Sequence, residues 1–215
     1  MRKGLTEVVF ILDRSGSMRG LEKETIGGFN SLIEKQKKEP GEAYISTVLF
    51  DNYSEVLHDR VSLNKISEMT EKDYYVRGCT ALLDAVGGAI KHIGRVHKYA
   101  REEDRPEKTI FVITTDGMEN SSRKYTAEKI KQLITHQQEK YGWEFLFLGA
   151  NIDAVSEARK FGIREENAAD FICDEKGTAL NYAVLDAAIK TVRSNKKLDA
   201  SWKAEIEVDF ERRRR

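Results

Sequence analysis

A carboxylate and two hydroxyl side chains follow the first strand-like run of the chain at alternate positions. The segment is Asp13-Arg14-Ser15-Gly16-Ser17, and the β-branched and aromatic residues before it are typical of a buried strand. Gly16 permits a tight turn, so the three side chains can face one point. Carboxylate and hydroxyl oxygens suit Mg²⁺, Mn²⁺ or Ca²⁺ rather than zinc or copper. The alternative is that Asp13 or Ser15 only caps the next helix.

Two later segments carry further oxygen ligands. Thr80 ends a loop just before a predicted helix, and Asp116 follows the most strand-like run of the chain, 109–115. In an open parallel sheet, sites form beyond the carboxyl ends of the strands, where the strand order reverses. If the strands that end at Asp13 and Asp116 are neighbours at this reversal, both acids lie on one rim, and Thr80 can lie there too.

Strands alternate with helices along the chain, which favours a mostly parallel sheet with helices on both faces. The predicted strands are 7–12, 43–50, 55–63, 109–115, 143–148 and 169–173, and the predicted helices are 21–38, 81–96, 126–140, 153–161 and 178–194. The short connection after the second strand implies an antiparallel pair at a sheet edge. The expected fold is therefore a three-layer α/β/α domain, a Rossmann-like doubly wound sheet with one antiparallel edge strand.

The end of the chain differs in composition from the rest. We expect residues 1–195 to form one domain and residues 196–215 to form a charged tail, either disordered or contributing an added edge strand. The apolar residues that alternate with charged ones in this tail are Ala204, Ile206, Val208 and Phe210. The closing run of four arginines is expected to be solvated.

Composition limits the classes of function. The 215 residues carry 36 basic and 36 acidic side chains, so the formal net charge is zero. This charge balance does not favour a protein that binds nucleic acid through an overall positive charge. No apolar run approaches the roughly 20 residues that cross a bilayer, and no secretory signal is visible. The two cysteines, Cys79 and Cys173, form no CxxC pair. We expect a cytoplasmic protein with no nucleic-acid or membrane partner, and nothing indicates an obligate oligomer.

The combined pattern of Asp-x-Ser-x-Ser, a later threonine and Asp-Gly after a central strand resembles the von Willebrand factor type A (vWA) family and its metal-ion-dependent adhesion site (MIDAS). The resemblance extends from about residue 5 to the last predicted helix. It implies a vWA fold, a small intracellular member of bacterial type, and no enzyme activity. It identifies the complete set of metal ligands as Asp13, Ser15, Ser17, Thr80 and Asp116.

The resemblance also implies how such a site binds. Members of the family typically bind Mg²⁺ or Mn²⁺ directly through the two serines, and the aspartates often act through water. Neutral hydroxyl ligands leave much of the ion's charge in place, and Mg²⁺ usually retains waters. An acidic side chain of another protein can replace one of these waters. The implied function is a metal-dependent protein-binding module whose partner offers a Glu or Asp.

The resemblance says less about the partner itself. Intracellular relatives often serve as subunits of larger assemblies, including assemblies with AAA+ ATPases, and the partner can belong to such an assembly. We expect Tyr53, Arg77, Glu119 and Asn120 to line the rim of the site and to set partner specificity.

Two other functions are considered. The chain also resembles haloacid-dehalogenase-type phosphatases, in which Asp13 would be a nucleophile on phosphate. Those enzymes need a second aspartate two residues later, where this chain has Ser15, and Glu119 is a poor match for their later acids. The third possibility is a non-metal structural subunit of a larger assembly with the same fold, which divalent ions would not stabilise.

Overall fold

Six strands and six helices occupy residues 1–214, the part of the chain that the computed structural model describes. The strands are β1 (Arg2–Asp13), β2 (Glu42–Phe50), β3 (Ser54–Ser62), β4 (Pro106–Thr115), β5 (Glu144–Ala150) and β6 (Ala168–Phe171). The helices are α1 (Glu22–Lys37), α2 (Leu82–Tyr99), α3 (Ala127–Tyr141), α4 (Ala154–Lys160), α5 (Glu175–Arg193) and α6 (Ala204–Arg213). Arg215, the last of the four arginines expected to be solvated, lies outside the described residues.

The strands form one sheet in the order β3-β2-β1-β4-β5-β6. All neighbouring pairs are parallel except β2 and β3, which pair antiparallel at one edge. The predicted doubly wound sheet with one antiparallel edge strand is confirmed. Strand order reverses between β1 and β4, where Leu12 lies opposite Thr114. The carboxyl ends of these two strands therefore meet at one edge of the sheet, as the predicted site requires.

Helices cover both faces of the sheet, and β1 shows this most clearly. Val8, Phe10 and Leu12 are buried in the core beneath α1 and α5. Val9 and Ile11, on the opposite face, are buried in the core beneath α2 and α3. A central strand that is buried on both faces needs an almost continuous apolar sequence, which is the pattern that predicted β1.

Helices α1 and α5 approach closely at one glycine. A Cβ atom at Gly28 would lie only 2.7 Å from Cγ of the buried Tyr182 on α5. Any side chain at position 28 would push the tyrosine ring away. Gly28 therefore allows the two helices on this face to pack together.

The end of the chain is a helix, so the expected edge strand or disordered tail is wrong. Ile206 on α6 is 1% exposed and joins the core on the α1 and α5 face. Just before α6, the indole nitrogen of Trp202 donates a hydrogen bond of 2.8 Å to the carbonyl oxygen of Glu166. Val208 is 68% exposed, so the apolar alternation does not mark a buried sheet face. Residues 196–214 instead cover α5 and β6.

Most other boundaries differ from the prediction by three residues or fewer. The largest difference is β1, which begins at Arg2 instead of residue 7. The predicted cap of α3 is present, because the Thr126 hydroxyl accepts a hydrogen bond of 3.2 Å from the backbone nitrogen of Lys129. None of the helices in residues 1–214 has the length and apolar character needed to cross a membrane.

Candidate metal centre

Three loops meet at the edge where β1 and β4 end. The backbone nitrogen of Gly16, in the turn after β1, donates a 3.0 Å hydrogen bond to the carbonyl oxygen of Gly78. Thr80 and Asn120 are joined by two hydrogen bonds, from Thr80 N to the Asn120 side-chain oxygen at 3.0 Å and from Asn120 N to the Thr80 carbonyl at 3.1 Å. The turn after β1 is thus held against the loop before α2, which is held against the loop after β4.

Four of the predicted ligands border one small space in this arrangement. The hydroxyl oxygens of Ser15 and Ser17 lie 3.0 Å apart, and Ser17 donates a hydrogen bond of 2.6 Å to Asp116 Oδ1. A Cβ atom at Gly117 would lie 3.5 Å from Ser17 Oγ and 3.6 Å from Thr80 Oγ1, so both hydroxyls face the same point. Three hydroxyls from two loops and one carboxylate from a third loop therefore converge, and Gly117 leaves the space open.

Asp13 lies behind this cluster and fixes the turn. Its Oδ1 accepts a hydrogen bond of 2.7 Å from the backbone nitrogen of Ser15, and its Oδ2 accepts one of 2.6 Å from the Thr115 hydroxyl. The side chain is buried. Both of its oxygens are thus already used in holding β1, the turn and β4 together.

The two carboxylates are poorly solvated. Burial raises the pKa of Asp13 to about 6, although hydrogen bonds from Thr115 and Ser15 oppose the rise. Burial also raises the pKa of Asp116 above its ordinary value, against the hydrogen bond from Ser17. Within residues 1–214 neither acid pairs with a lysine or arginine, and no three His, Cys, Asp or Glu side chains are grouped to hold a metal. A cation here would depend on the hydroxyl oxygens, which suits a hard ion.

Arg14, within the motif, points away from the cluster and anchors the turn from the other side. Its buried guanidinium donates to Asp51 Oδ2 at 2.9 Å and to Glu55 at 2.8 Å. Arg77 donates to the same oxygen of Asp51 at 2.7 Å. Burial alone would raise the pKa of Asp51, but hydrogen bonds from Arg77 and from the Tyr53 backbone, with the charge of Arg14, hold it below its ordinary value.

Sequence reasoning missed several supporting residues. The hydroxyl of the buried Tyr74 donates a hydrogen bond of 2.5 Å to the carbonyl oxygen of Asp13. The thiol of Cys173 lies 3.8 Å from Asp116 Oδ2, and burial raises its pKa to about 12, so it stays protonated at neutral pH. Only Thr115 had a usable signal in the sequence, since it directly precedes Asp116.

The four residues expected at the rim divide into two kinds. Glu119 accepts a hydrogen bond of 2.9 Å from the backbone nitrogen of Leu83, so it holds the start of α2. Asn120 is occupied with Thr80 as described above. Tyr53 and Arg77 instead present large exposed side chains, 77% and 47% exposed. They are the expected rim residues with side-chain surface free for contact.

Solved structures resemble the chain, whereas no protein-family model and no curated protein sequence matches it. Proximal thread matrix protein 1 from the mussel byssus, in a structure described as having a zinc-occupied MIDAS motif, aligns with a TM-score of 0.59 and 16% identity. That alignment covers 87% of this chain and 46% of the mussel protein.

Two further solved structures resemble this chain to a comparable extent. A von Willebrand factor type A structure from Catenulispora acidiphila has a TM-score of 0.57 and 16% identity over 85% of this chain and 42% of its own. The ArnB paralog VWA2 from Sulfolobus acidocaldarius has a TM-score of 0.52 and 19% identity over 91% of this chain and 46% of its own. This chain spans less than half the length of these structures. At such identities the likeness concerns the fold, and the chain has the fold of von Willebrand factor type A domains.

Proposed function

We propose that this chain is a divalent-metal-dependent protein-binding module. In this proposal Asp13, Ser15, Ser17, Thr80 and Asp116 form a complete MIDAS that holds Mg²⁺, with Mn²⁺ or Ca²⁺ as substitutes. Asp13, whose oxygens already accept hydrogen bonds, would act from behind the cluster through water. An Asp or Glu of a partner protein takes the remaining coordination position. The partner, which can belong to an AAA+ ATPase-linked assembly, is recognised through its acid.

The convergence of three hydroxyls and one carboxylate on a single space carries the proposal. Ser15, Ser17 and Asp116 are linked by contacts of 3.0 and 2.6 Å, and Thr80 borders the same space. A bound divalent ion would supply positive charge beside carboxylates that have no cationic partner in the described chain. Three of the five side chains are neutral, so the ion would keep enough charge to attract an external carboxylate.

The environment of Asp13 weighs against the phosphatase alternative. A nucleophilic aspartate needs one oxygen that is free to approach phosphorus. Both oxygens of Asp13 accept hydrogen bonds, from Ser15 N and from the Thr115 hydroxyl, and the side chain is buried. We therefore propose a binding role without catalysis.

We further propose a small cytoplasmic protein of bacterial type. Cys79 and Cys173 are both free thiols, as is usual in a reducing compartment.

Metal-dependent stability tests the first half of the proposal. Denaturant unfolding is measured in EDTA and in Mg²⁺ or Mn²⁺, for the wild type and for Ser17→Ala and Asp116→Ala. At about 100 times its dissociation constant the ion should add about 2.7 kcal/mol to the unfolding free energy of the wild type. The two variants should remain folded and lose this gain, and the control Ser67→Ala, at an exposed serine, should keep it. No gain in the wild type would favour the non-metal structural subunit.

Partner capture tests the second half. Immobilised protein is incubated with lysate in Mg²⁺ or in EDTA, and the retained proteins are identified by mass spectrometry. We expect partners that are lost both in EDTA and with Asp116→Ala. Phosphatase turnover that disappears in Asp13→Asn would overturn the binding-module assignment.

A further inference from the structure

We propose that the surface around the candidate metal centre binds an extended acidic segment of a partner protein. Beside the acid that reaches the metal, this segment would carry an apolar side chain, and a second acid would pair with Arg77. The surface, here called the aromatic rim, consists of Tyr53, Tyr75, Arg77 and Met118. The inference rests on the proposed function and adds what kind of partner sequence the site would select.

Large apolar side chains are exposed together on this rim. Tyr53, Tyr75 and Met118 are 77%, 42% and 62% exposed. A single exposed apolar residue is ordinary on a protein surface. These three stand on three loops that are hydrogen-bonded to one another around the candidate site, and exposed apolar residues gathered around a site mark it for interaction.

Each of these residues is fixed to the loops of the metal centre. The carbonyl oxygen of Asp51, two residues before Tyr53, accepts a hydrogen bond of 2.8 Å from the backbone nitrogen of Ala81, directly after Thr80. Tyr75 follows Tyr74, whose hydroxyl bonds to the carbonyl of Asp13.

Met118 and Arg77 are also close in sequence to residues of the candidate metal centre. Met118 is two residues beyond Asp116, and Arg77 precedes Gly78, whose carbonyl accepts the 3.0 Å hydrogen bond from Gly16 N. The rim residues therefore belong to the same loops that carry the candidate ligands.

One edge of the Arg77 guanidinium is left open on the rim. Arg77 lies over the Tyr75 ring, with its guanidinium carbon 5.1 Å from the ring centroid, and donates to the Tyr75 hydroxyl at 3.2 Å. Its Nε is used by Asp51, whereas within residues 1–214 its Nη2 donates no hydrogen bond. This leaves one edge of an ordered guanidinium, which suits a carboxylate.

The neighbouring acids are all engaged in contacts of their own. Glu119 accepts hydrogen bonds from Leu83 N, Ser121 N, Ser122 N and the Ser122 hydroxyl. Asp51 is shared by two arginines, and Glu55 pairs with Arg14. Two arginines and two acids balance in this network, so Arg77 contributes an open donor edge and no net charge. This edge and the proposed cation are the groups that a ligand's carboxylates would meet.

A protein segment fits this surface better than a nucleic acid does. The chain has no net charge, and one free guanidinium edge makes no basic groove that could follow a phosphate backbone. Tyrosine and methionine surfaces adapt well to apolar side chains. The matching ligand is an acid with an aromatic or aliphatic neighbour and a second acid nearby.

Peptide selection tests the inference. A phage-displayed library of random 12-residue peptides is selected on the immobilised full chain in Mg²⁺ and eluted with EDTA. We expect the enriched peptides to share an acid next to an aromatic or aliphatic residue, with a second acid close by. The strongest peptide is then synthesised, and its affinity is measured for the wild type and for the variants.

Variants of the aromatic rim should separate peptide contacts with the rim from binding of the metal ion. Tyr53→Ala and Arg77→Gln should each weaken the peptide about 10-fold, the effect typical of an interface anchor. Both variants should keep the stabilisation by Mg²⁺. Tyr99→Ala, which removes a tyrosine at the end of α2 that is 75% exposed, should bind like the wild type.

Other outcomes overturn one proposal or the other. If the enriched peptides share only an acid and bind Tyr53→Ala and Arg77→Gln like the wild type, the rim inference is wrong and the metal-dependent module stands. If Mg²⁺ binds but the peptides lack acids or stay bound in EDTA, both the rim inference and the proposed function are wrong. No enrichment over blank support, or displacement of the peptide by a thymidine 12-mer, also overturns the rim inference.

Discussion

The hydroxyl of Thr115 donates a hydrogen bond of 2.6 Å to Oδ2 of Asp13, across the junction of β1 and β4. The two strands are neighbours where the strand order reverses, so this bond joins the two halves of the doubly wound sheet. It also uses the one oxygen of Asp13 that the turn leaves free. The candidate metal centre therefore depends on a residue outside the motif.

Replacing Thr115 by valine should destabilise the protein. The substitution keeps the shape of the side chain but removes the donor to a buried carboxylate, which should cost about 1.5–3 kcal/mol of unfolding free energy. Denaturant unfolding in EDTA at pH 7 measures this cost without a contribution from bound metal. The affinity for Mg²⁺ should also fall, because the acid behind the turn loses its fixed orientation.

Thr109→Val is the matched control for this prediction. Thr109 lies on the same strand and is buried, but its hydroxyl makes no hydrogen bond within residues 1–214. The control should lose little or no stability. Equal losses in the two variants would mean that burial of a threonine on β4, and not the bond to Asp13, decides the effect.

The buried pair of Arg14 and Asp51 should make stability fall in acid. The folded protein holds the pKa of Asp51 below its ordinary value of about 3.9, so the folded state binds fewer protons than the unfolded state near that pH. The stabilisation is complete above about pH 4 and is lost as the pH falls through the lower folded value. Denaturant unfolding between pH 7 and pH 2 measures this slope.

Asp51→Asn should remove this part of the acid dependence. At pH 7 the variant should be less stable by about 3 kcal/mol, because the buried Arg14 loses a charged partner. Glu211→Gln, at an exposed acid with no ion pair among the described residues, should follow the wild-type profile. A slope in Asp51→Asn as steep as that of the wild type would contradict the assignment.

Sequence patterns predicted the sheet, and the position of Asp13 and Asp116 at one edge of it, for a physical reason. Strands buried on both faces need long apolar runs, and the ends of such runs mark the edge where Asp13 and Asp116 lie. The supporting contacts were not predictable in this way. Arg14 occupies a variable position of the motif, and its partner Asp51 is separated from it by 37 residues. Only the folded chain determines which distant side chain meets it.

The C-terminal segment was mispredicted for a related reason. Apolar residues alternate there with charged ones, as in a strand with one buried face, but the pattern covers few residues. Of the alternating positions, Ile206 is deeply buried and Val208 is largely exposed. Contacts with α5 and β6 decide the conformation, and such contacts override a short periodic pattern.

Gly28 should be sensitive to any side chain. A methyl group at this position would meet the buried ring of Tyr182, so Gly28→Ala should cost about 1–3 kcal/mol through overpacking between α1 and α5. Gly27→Ala is the control on the same helix, since nothing lies within 4 Å of a Cβ there. That variant should gain about 0.5–1 kcal/mol, because alanine favours the helix more than glycine does. The same change in unfolding free energy for Gly28→Ala and Gly27→Ala would contradict close packing at Gly28.

Helix α6 should contribute to the stability of the whole domain. Ile206 joins the core that β1, α1 and α5 share, so Ile206→Ala should lower the unfolding free energy by about 2–5 kcal/mol. Val208→Ala, at a largely exposed position on the same helix, should change it by no more than about 0.5 kcal/mol. Both variants are unfolded by denaturant and followed by far-UV circular dichroism and by tryptophan fluorescence, since Trp202 lies next to α6. A single transition for both probes, shifted in Ile206→Ala, would mean that α6 unfolds together with the sheet. A tail that is not part of the domain would instead leave the main transition of Ile206→Ala at the wild-type position.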